Sequence, residues 1–328
     1  MASLKRHALI TDAAEILAPA ITALEAAGVE VEVLPQGVER AVALSAAGRA
    51  PVVIVGFMPF DAAAIAGLAA TRLIVRAGIG YDMVDINAAT RASIAVANVP
   101  DFCVDEVADH TLLLLLAAYR RLADASTRWR STQSWHVNAQ LPEMRRVAGT
   151  RLGVVGFGRI GRSVAARARG FGWEVVAHDP MVPPGTSDGV RLVPLDELVA
   201  TADAITLHAP LTDGNHHMLD AVRLASARDG VIVVNTSRGG LIDLDALHDA
   251  IVAGKVSYAA LDVLDGEPAP DLAHPLLSHP DVLVTSHTAW LSAQARIELA
   301  TNAADEALRF LDGAAVRNLL NPAALHRP

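Results

Sequence analysis

The sequence predicts an α/β protein built on parallel sheets, and three observations carry that expectation. Short β-branched runs alternate with alanine-rich helical stretches along the whole chain, the pattern of βαβ units. A glycine pattern, Gly156-Phe157-Gly158-Arg159-Ile160-Gly161, stands between one such run and one such stretch. The chain has 328 residues, 52% of them hydrophobic and 19% charged, which suits a well-buried protein long enough for two domains.

Strands are expected at Ala8–Ile10, Val29–Leu34, Val52–Val55, Leu73–Val75, Leu152–Val155, Val175–His178, Ala204–Leu207, Val231–Asn235, Ala259–Val263 and Val282–Val284. Each is short, apolar and rich in β-branched residues, as buried parallel strands are. Helices are expected between them. The first, Ala13–Ala27, opens with a capping signal, Asp12 followed by Glu15. A long one, Val104–Ala125, ends in Arg120-Arg121 and can join two domains. Others run over Gly161–Gly170, Asp243–Ala253 and Ser292–Phe310. The polar stretch Arg128–Arg146, which carries tryptophans, fits a protruding arm or an ordinary surface loop.

Composition excludes several classes of function. The formal net charge is -9 and no basic run of five or more occurs, so no nucleic-acid footprint is present. One cysteine, Cys103, can form no internal disulfide and no cysteine-rich zinc site; it reads as a small residue in a turn. The stretch Met1–Asp12 has Lys5 and Arg6 but too short an apolar core for a signal peptide. The longest apolar run, Leu112–Tyr119, is far short of the roughly 20 residues that span a bilayer. A soluble, cytoplasmic protein without a membrane partner is expected. His216 and His217 are neighbours, and adjacent side chains point apart in a strand or diverge by about 100° in a helix. With no HExxH pattern, no metal site is expected. His110 and His208 read as hydrogen-bonded structural histidines.

The glycine pattern gains weight from its setting. It follows the strand ending at Val155 and opens a helix, and seventeen residues separate Gly161 from Asp179 at the tip of the next strand. This is the spacing of a dinucleotide-binding βαβ unit. Its glycines let the backbone approach a pyrophosphate at the helix N-terminus. Asp179 can accept hydrogen bonds from ribose hydroxyls, whereas a 2′-phosphate would face its carboxylate. Pro180 and Met181 offer no cation, so NAD is expected rather than NADP.

Three polar spots each follow a later strand: Thr236-Ser237-Arg238-Gly239-Gly240, Gly266-Glu267-Pro268 and Ser286-His287-Thr288-Ala289-Trp290. Ligands of open α/β sheets bind outside the carboxyl ends of strands. A guanidinium, a carboxylate and an imidazole are what an oxo-acid reductase needs. Arg238 can fork onto a substrate carboxylate and polarise its carbonyl. His287 can give a proton to the nascent alkoxide while Glu267 orients the imidazolium.

The chain resembles the D-isomer-specific 2-hydroxyacid dehydrogenases over nearly its whole length, closest to the branch that holds the C-terminal-binding proteins. The resemblance rests on Arg76-Ala77-Gly78-Ile79-Gly80-Tyr81-Asp82, Val96-Ala97-Asn98-Val99-Pro100 and the unit from Gly156 to Asp179. It continues through Asn215-His216-His217, Val234–Asp243, Ala260–Val263, Glu267-Pro268 and His287–Trp290. It implies two Rossmann-like domains with parallel sheets. A substrate domain of residues 1–98 and 290–328 would be interrupted by an inserted NAD-binding domain of residues 99–289, with the active site in a cleft between them. It implies Arg238, Glu267 and His287 as the catalytic residues of an NAD-dependent D-2-hydroxyacid dehydrogenase. The implied cofactor contacts are Gly156, Gly158, Arg159, Ile160, Gly161, Asp179, His208, Ala209, Pro210, Asn215, Thr236, Ser237, Arg238, Asp262 and His287, with Asp262 holding the nicotinamide carboxamide. Arg76, Ile79, Gly80, Arg238, His287 and Trp290 would meet the substrate. Homodimerisation through the cofactor domain is implied too. The sequence departs from the family pattern at Met83, His178 and Ser286, none of which removes a catalytic group. The same branch also contains NAD(H)-regulated corepressors that bind other proteins, which is the alternative to an enzyme.

Overall fold

The computed structural model describes residues 6–133, 135, 143–183 and 185–326. Part of the leading stretch (1–5) and much of the tryptophan-bearing stretch (134 and 136–142) lie outside the described residues. The chain divides into two compact units, residues 1–102 with 291–328 and residues 103–290. No described helix is long and apolar enough to cross a membrane.

The first unit opens with β1 (His7–Ile10), α1 (Ala18–Ala26), β2 (Glu30–Val33), α2 (Arg40–Ala47) and β3 (Val52–Val55). It continues through α3 (Ala62–Ala66), β4 (Leu73–Arg76), α4 (Ile86–Arg91) and β5 (Ala95–Asn98). The five strands pair in parallel in the order β2-β1-β3-β4-β5. All but β2 are buried along their length because helices cover both faces, which is why they read as continuous apolar runs. On one face Ala43, Ala47, Ile65 and Ala88 of the helices pack on Leu9, Val53 and Ile74.

The first helix starts later than the capping signal suggests. Pro19 stands in the first turn of α1, where a missing amide costs nothing. Ala13 takes a left-handed φ of 59°. The Asp12 carboxylate accepts instead from the amides of Gly56 (2.8 Å) and Phe57. A distant loop has captured the side chain that spacing assigned to a cap.

The second unit begins with α5 (Val104–Tyr119) and α6 (Leu122–Thr132). The single long helix expected over Val104–Ala125 is therefore two. The chain breaks at Arg121, whose φ is 49°. There the guanidinium donates to Ser257 O (3.1 Å), ion-pairs with Asp281 and lies 4.9 Å over the Tyr258 ring. Next come β6 (Arg151–Val155), α7 (Arg159–Gly170), β7 (Glu174–His178), β8 (Gly185–Ser187), β9 (Val190–Leu192), α8 (Leu195–Thr201) and β10 (Ala204–Leu207). Then follow α9 (Ala221–Ser226), β11 (Val231–Asn235), α10 (Leu244–Val252), β12 (Val256–Leu261) and β13 (Val282–Val284). The sheet order is β13-β12-β11-β10-β6-β7-β9-β8, parallel except that β8 runs against β9. The hairpin of β8 and β9 has too few residues to show a pattern. Strand β12 begins three residues before the expected Ala259 and ends at Leu261, which leaves Asp262 and Val263 just beyond it.

The chain returns to the first unit through α11 (Ala293–Leu311), capped by Ser292 Oγ and packed on α1 and β4. Beyond it, Asn321 accepts from Val96 N (2.8 Å) and donates to Ile94 O (2.9 Å). Buried Glu306 takes the amides of Arg317 and Asn318. The edge of β5 is thus covered by residues 318–321.

Candidate active site

In the second unit the loops after β6, β10, β11, β12 and β13 share one edge of the sheet. The chain order reverses at β6, with β7 on one side and β10 on the other, so the loops there diverge and leave a crevice. Helix α7 begins at Arg159 and its cap residue, Gly158, offers no side-chain acceptor. Its first amides therefore keep free donors at the positive end of the helix, which suits a diphosphate. A side-chain carbon at Gly161 would meet the carbonyl oxygen of Gly156 at 2.0 Å, so only glycine lets α7 pack this close. Ile160 is half-buried and Arg159 exposed.

Asp179 stands at the tip of β7. One carboxylate oxygen accepts from Phe157 N (2.8 Å) and the other from Met181 N (2.8 Å). The carboxylate thus ties the glycine loop to the strand end, and each oxygen keeps acceptor capacity for a hydroxyl.

After β10, His208 N donates to Val155 O (2.7 Å), while its Nε2 lies 3.0 Å from Thr206 Oγ1. Burial pushes the imidazole down to about 3, so the ring is neutral. Asn215 clasps the following loop: its amide accepts from Thr212 N (2.7 Å) and donates to Pro210 O (2.7 Å). Ser237 Oγ donates to Ala209 O (2.6 Å) and thereby joins this loop to the turn after β11. Thr236 is buried, its hydroxyl 2.9 Å from that of Thr111.

The turn that carries Arg238 is held by a residue that sequence reasoning did not single out. Asn235, the last residue of β11, accepts from Ser237 N (3.0 Å) and donates to Arg238 O (2.8 Å). Its only signal was a polar residue ending an apolar strand. Arg238 Nη1 donates to Ser237 O (2.8 Å). A side-chain carbon at Gly239 would meet the Leu264 carbonyl carbon at 1.9 Å, so glycine is what brings this turn against the loop after β12.

Asp262 sits just past β12, 1% exposed, and its carboxylate organises the loop after β13. One oxygen accepts from Thr288 N (3.0 Å) and the Thr285 hydroxyl, the other from Ala289 N (2.9 Å). His110 Nε2 lies 3.2 Å from that hydroxyl. The Asp262 carbonyl accepts from His287 N (2.7 Å). These bonds hold His287 at φ 53°, a left-handed conformation that costs a non-glycine residue about 1–3 kcal/mol.

So held, His287 presents Nδ1 2.5 Å from Glu267 Oε2, and Glu267 Oε1 accepts from Leu264 N (2.8 Å). Burial would raise the Glu267 carboxyl, but the hydrogen bond and charge of His287, helped by Leu264 N and Arg238, hold it below the usual carboxylate range. With Nδ1 bound to a carboxylate, Nε2 is the nitrogen left to exchange a proton with a ligand. Trp290, three residues on, is partly buried.

In the first unit, Arg76 ends β4 and is 7% exposed. Its guanidinium bonds Ala77 O, with Nε 3.4 Å from Met83 Sδ. Ile79 O accepts from Asn98 Nδ2 (2.7 Å), and Ile79 and Gly80 are partly exposed.

His216 and His217 do not diverge as neighbours in a strand or helix would. His217 has φ 51°, and its ring stacks on that of His216 at 3.9 Å.

Residues 112–289 match the family model described as D-isomer specific 2-hydroxyacid dehydrogenase, NAD binding domain. The chain is 38% identical over 314 residues to a D-3-phosphoglycerate dehydrogenase of Mycobacterium tuberculosis, a match that covers 94% of this chain and 58% of that protein. The chain thus spans little more than half the length of such curated relatives. Among solved structures, the TT0316 protein of Thermus thermophilus superposes with a TM-score of 0.86 at 32% identity, covering 96% of this chain and 99% of that one. A glyoxylate reductase from Paecilomyes thermophila gives 0.87 at 28% identity, over 98% and 99%.

Proposed function

Because the chain belongs to the D-isomer specific 2-hydroxyacid dehydrogenase family, with NAD as cofactor, we propose that it interconverts 2-oxo acids and D-2-hydroxy acids. The observation that carries this reading is the Glu267–His287 pair, which leaves one imidazole nitrogen for the substrate oxygen beside the turn that holds Arg238. NADH, when bound, supplies the hydride that reaches C2 of the oxo acid. The crevice fits that cofactor: the uncapped start of α7, the glycine contact at Gly161 and the Asp179 carboxylate suit diphosphate and ribose in turn. Arg159, Ile160, the backbone of His208–Pro210, Asn215, Thr236 and Ser237 belong to the same strand-end loops and are further proposed cofactor contacts, as by the family pattern are Arg238, Asp262 and His287.

In this reading Arg238 forks onto the substrate carboxylate and draws charge toward the reacting carbonyl oxygen. His287 Nε2 donates its proton to that oxygen as the alkoxide forms, and Glu267 holds the resulting ring in place. In the oxidative direction the neutral ring takes the hydroxyl proton back. Trp290 and, from the first unit, Arg76, Ile79 and Gly80 are proposed substrate contacts by the family pattern. Homodimerisation is proposed on the same ground and is read by sedimentation at the mass of two chains. The corepressor-like alternative draws no support from the relatives named above, whose names are those of enzymes where they state an activity.

The test is NADH consumption by the purified protein with a panel of 2-oxo acids, alongside Arg238→Lys. Wild type should turn over at least one acid. The lysine keeps the charge but loses the two-pronged geometry, so kcat/KM should fall on the order of 10²-fold, with the Kd for NADH nearly unchanged. No turnover across the panel would remove the proposed activity, and wild-type turnover by Arg238→Lys would remove Arg238 from it.

A further inference from the structure

We propose that His216, His217 and Asp265 form a binding site for one divalent transition-metal ion of the zinc, nickel or cobalt class, one that uses neither Glu267 nor His287 as a ligand. One ring nitrogen of each histidine and one carboxylate oxygen of the aspartate all lie within 4.8 Å of one another. The grouping follows from topology. Strands β10, β11 and β12 are neighbours, so the loops that leave their carboxyl ends run side by side. The histidines come from the loop after β10 and the aspartate from the loop after β12. Between them lies Gly240 of the turn after β11, whose missing side chain leaves room: a carbon there would stand 3.2 Å from Asp265 Oδ1 and 3.3 Å from His216 Cδ2.

Two features prepare the site before any ion arrives. The left-handed φ of His217 turns its ring to the same side as His216, which a strand or helix would not do. A short ladder then fixes that backbone: His217 N donates to Gly240 O (2.8 Å), Leu219 N to Leu241 O (3.1 Å) and Asp243 N to Leu219 O (3.2 Å). The side chains themselves are exposed or half-exposed, so an ion has an entry path and the donors can move. Zinc sits about 2.0–2.1 Å from nitrogen and carboxylate ligands, which in a tetrahedron places the ligands roughly 3.3 Å apart. Closing from 4.8 Å requires the two rings to turn out of their stack so that both aim a nitrogen at the ion. Two imidazoles and one carboxylate suit borderline ions of this class better than calcium or magnesium, which prefer oxygen alone. The fourth position is left to water.

His217 also has an outer partner. Asp243 Oδ2 lies 3.8 Å from its Nδ1, which sets a second carboxylate charge beside the site. The other Asp243 oxygen caps α10 through Ala246 N (3.0 Å). An ion here would tie the loop after β10 to the loop after β12, and it would do so whether or not the oxidoreductase reading is correct.

The experiment is stoichiometric metal titration of the full chain after chelation and gel filtration. Zn2+ binding is followed by calorimetry, Co2+ binding by its visible absorption, and the unfolding midpoint is read with and without Zn2+. One equivalent per chain should bind, with a four-coordinate Co2+ spectrum and a raised midpoint. His216→Ala and Asp265→Asn should each weaken Zn2+ affinity about tenfold or more and abolish the midpoint shift. Asp243→Asn keeps the helix cap, since asparagine caps as well as aspartate. It removes a negative charge beside the site and should weaken affinity, though less than the loss of a ligand does. Since the chain has twelve histidines, His248→Ala, beside the separate His274 ring, is the control and should bind as wild type does. The proposal is overturned by absence of a stoichiometric site, by unchanged affinity in His216→Ala and Asp265→Asn, or by an equal loss in His248→Ala.

Discussion

Asp262→Asn tests how the His287 loop is held. In the wild type the buried carboxylate receives Thr288 N and the Thr285 hydroxyl on one oxygen and Ala289 N on the other. Asparagine keeps one acceptor and turns the second into a donor. If its oxygen stays with Ala289 N, the Thr285 hydroxyl can reverse and accept, but Thr288 N faces another donor. One partly buried amide then loses its partner, which costs about 1–3 kcal/mol. That range equals the roughly 1–3 kcal/mol stored in His287 at positive φ. The loop should therefore relax in a large share of molecules, and kcat should fall by about 5- to 150-fold at tenfold per 1.36 kcal/mol. The assay pairs urea unfolding with steady-state kinetics and NADH titration. The expected result is lower stability and lower kcat, with NADH affinity changed much less. A variant that keeps wild-type stability and kcat but binds NADH poorly would show that Asp262 serves the nicotinamide and not the His287 loop.

Three more outcomes are expected. Glu267 has its carboxyl held below the ordinary value of 4.5 in the folded state, so its contribution to stability is present above that value and fades as pH falls through the folded one. The stability advantage of wild type over Glu267→Gln should accordingly shrink in acid; a difference that is flat down to the acid transition would mean the pair does not stabilise the fold. Asp179→Ser should weaken NADH binding more than NADPH binding, and a wild type that prefers NADPH tenfold would overturn the reading of the β7 tip. Arg76→Ala should lower kcat/KM for dicarboxylic 2-oxo acids more than for glyoxylate or pyruvate; an equal loss across the panel would assign the buried guanidinium to the packing around Gly78 and Met83.

What the sequence determined by itself is whatever neighbours along the chain decide. The strands Val52–Val55, Ala204–Leu207 and Val231–Asn235 were legible because apolar β-branched runs have few other ways to be buried. The glycine loop was legible because its glycines and the strand before it form one local unit. The polar residues after β11, β12 and β13 stood out against apolar strands, and parallel strand order sends such ends to one edge. Tertiary structure decided what partners distant in sequence decide. Asp12 is spaced as a helix cap, but two amides some forty-five residues away hold it, and the helix begins only at Ala18. Arg121 lies in a helical pattern, yet the pull of Asp281, Ser257 O and the Tyr258 ring breaks the helix there. Asp262 reads as the end of a strand, and only the folded chain brings the 285–289 loop onto its carboxylate. His216 and His217 meet because a ladder to residues 240–243 fixes a backbone angle that no local preference selects. A local pattern records which conformations a segment can take. Hydrogen bonds and charges from elsewhere in the chain, each worth about as much as a local preference, select among them.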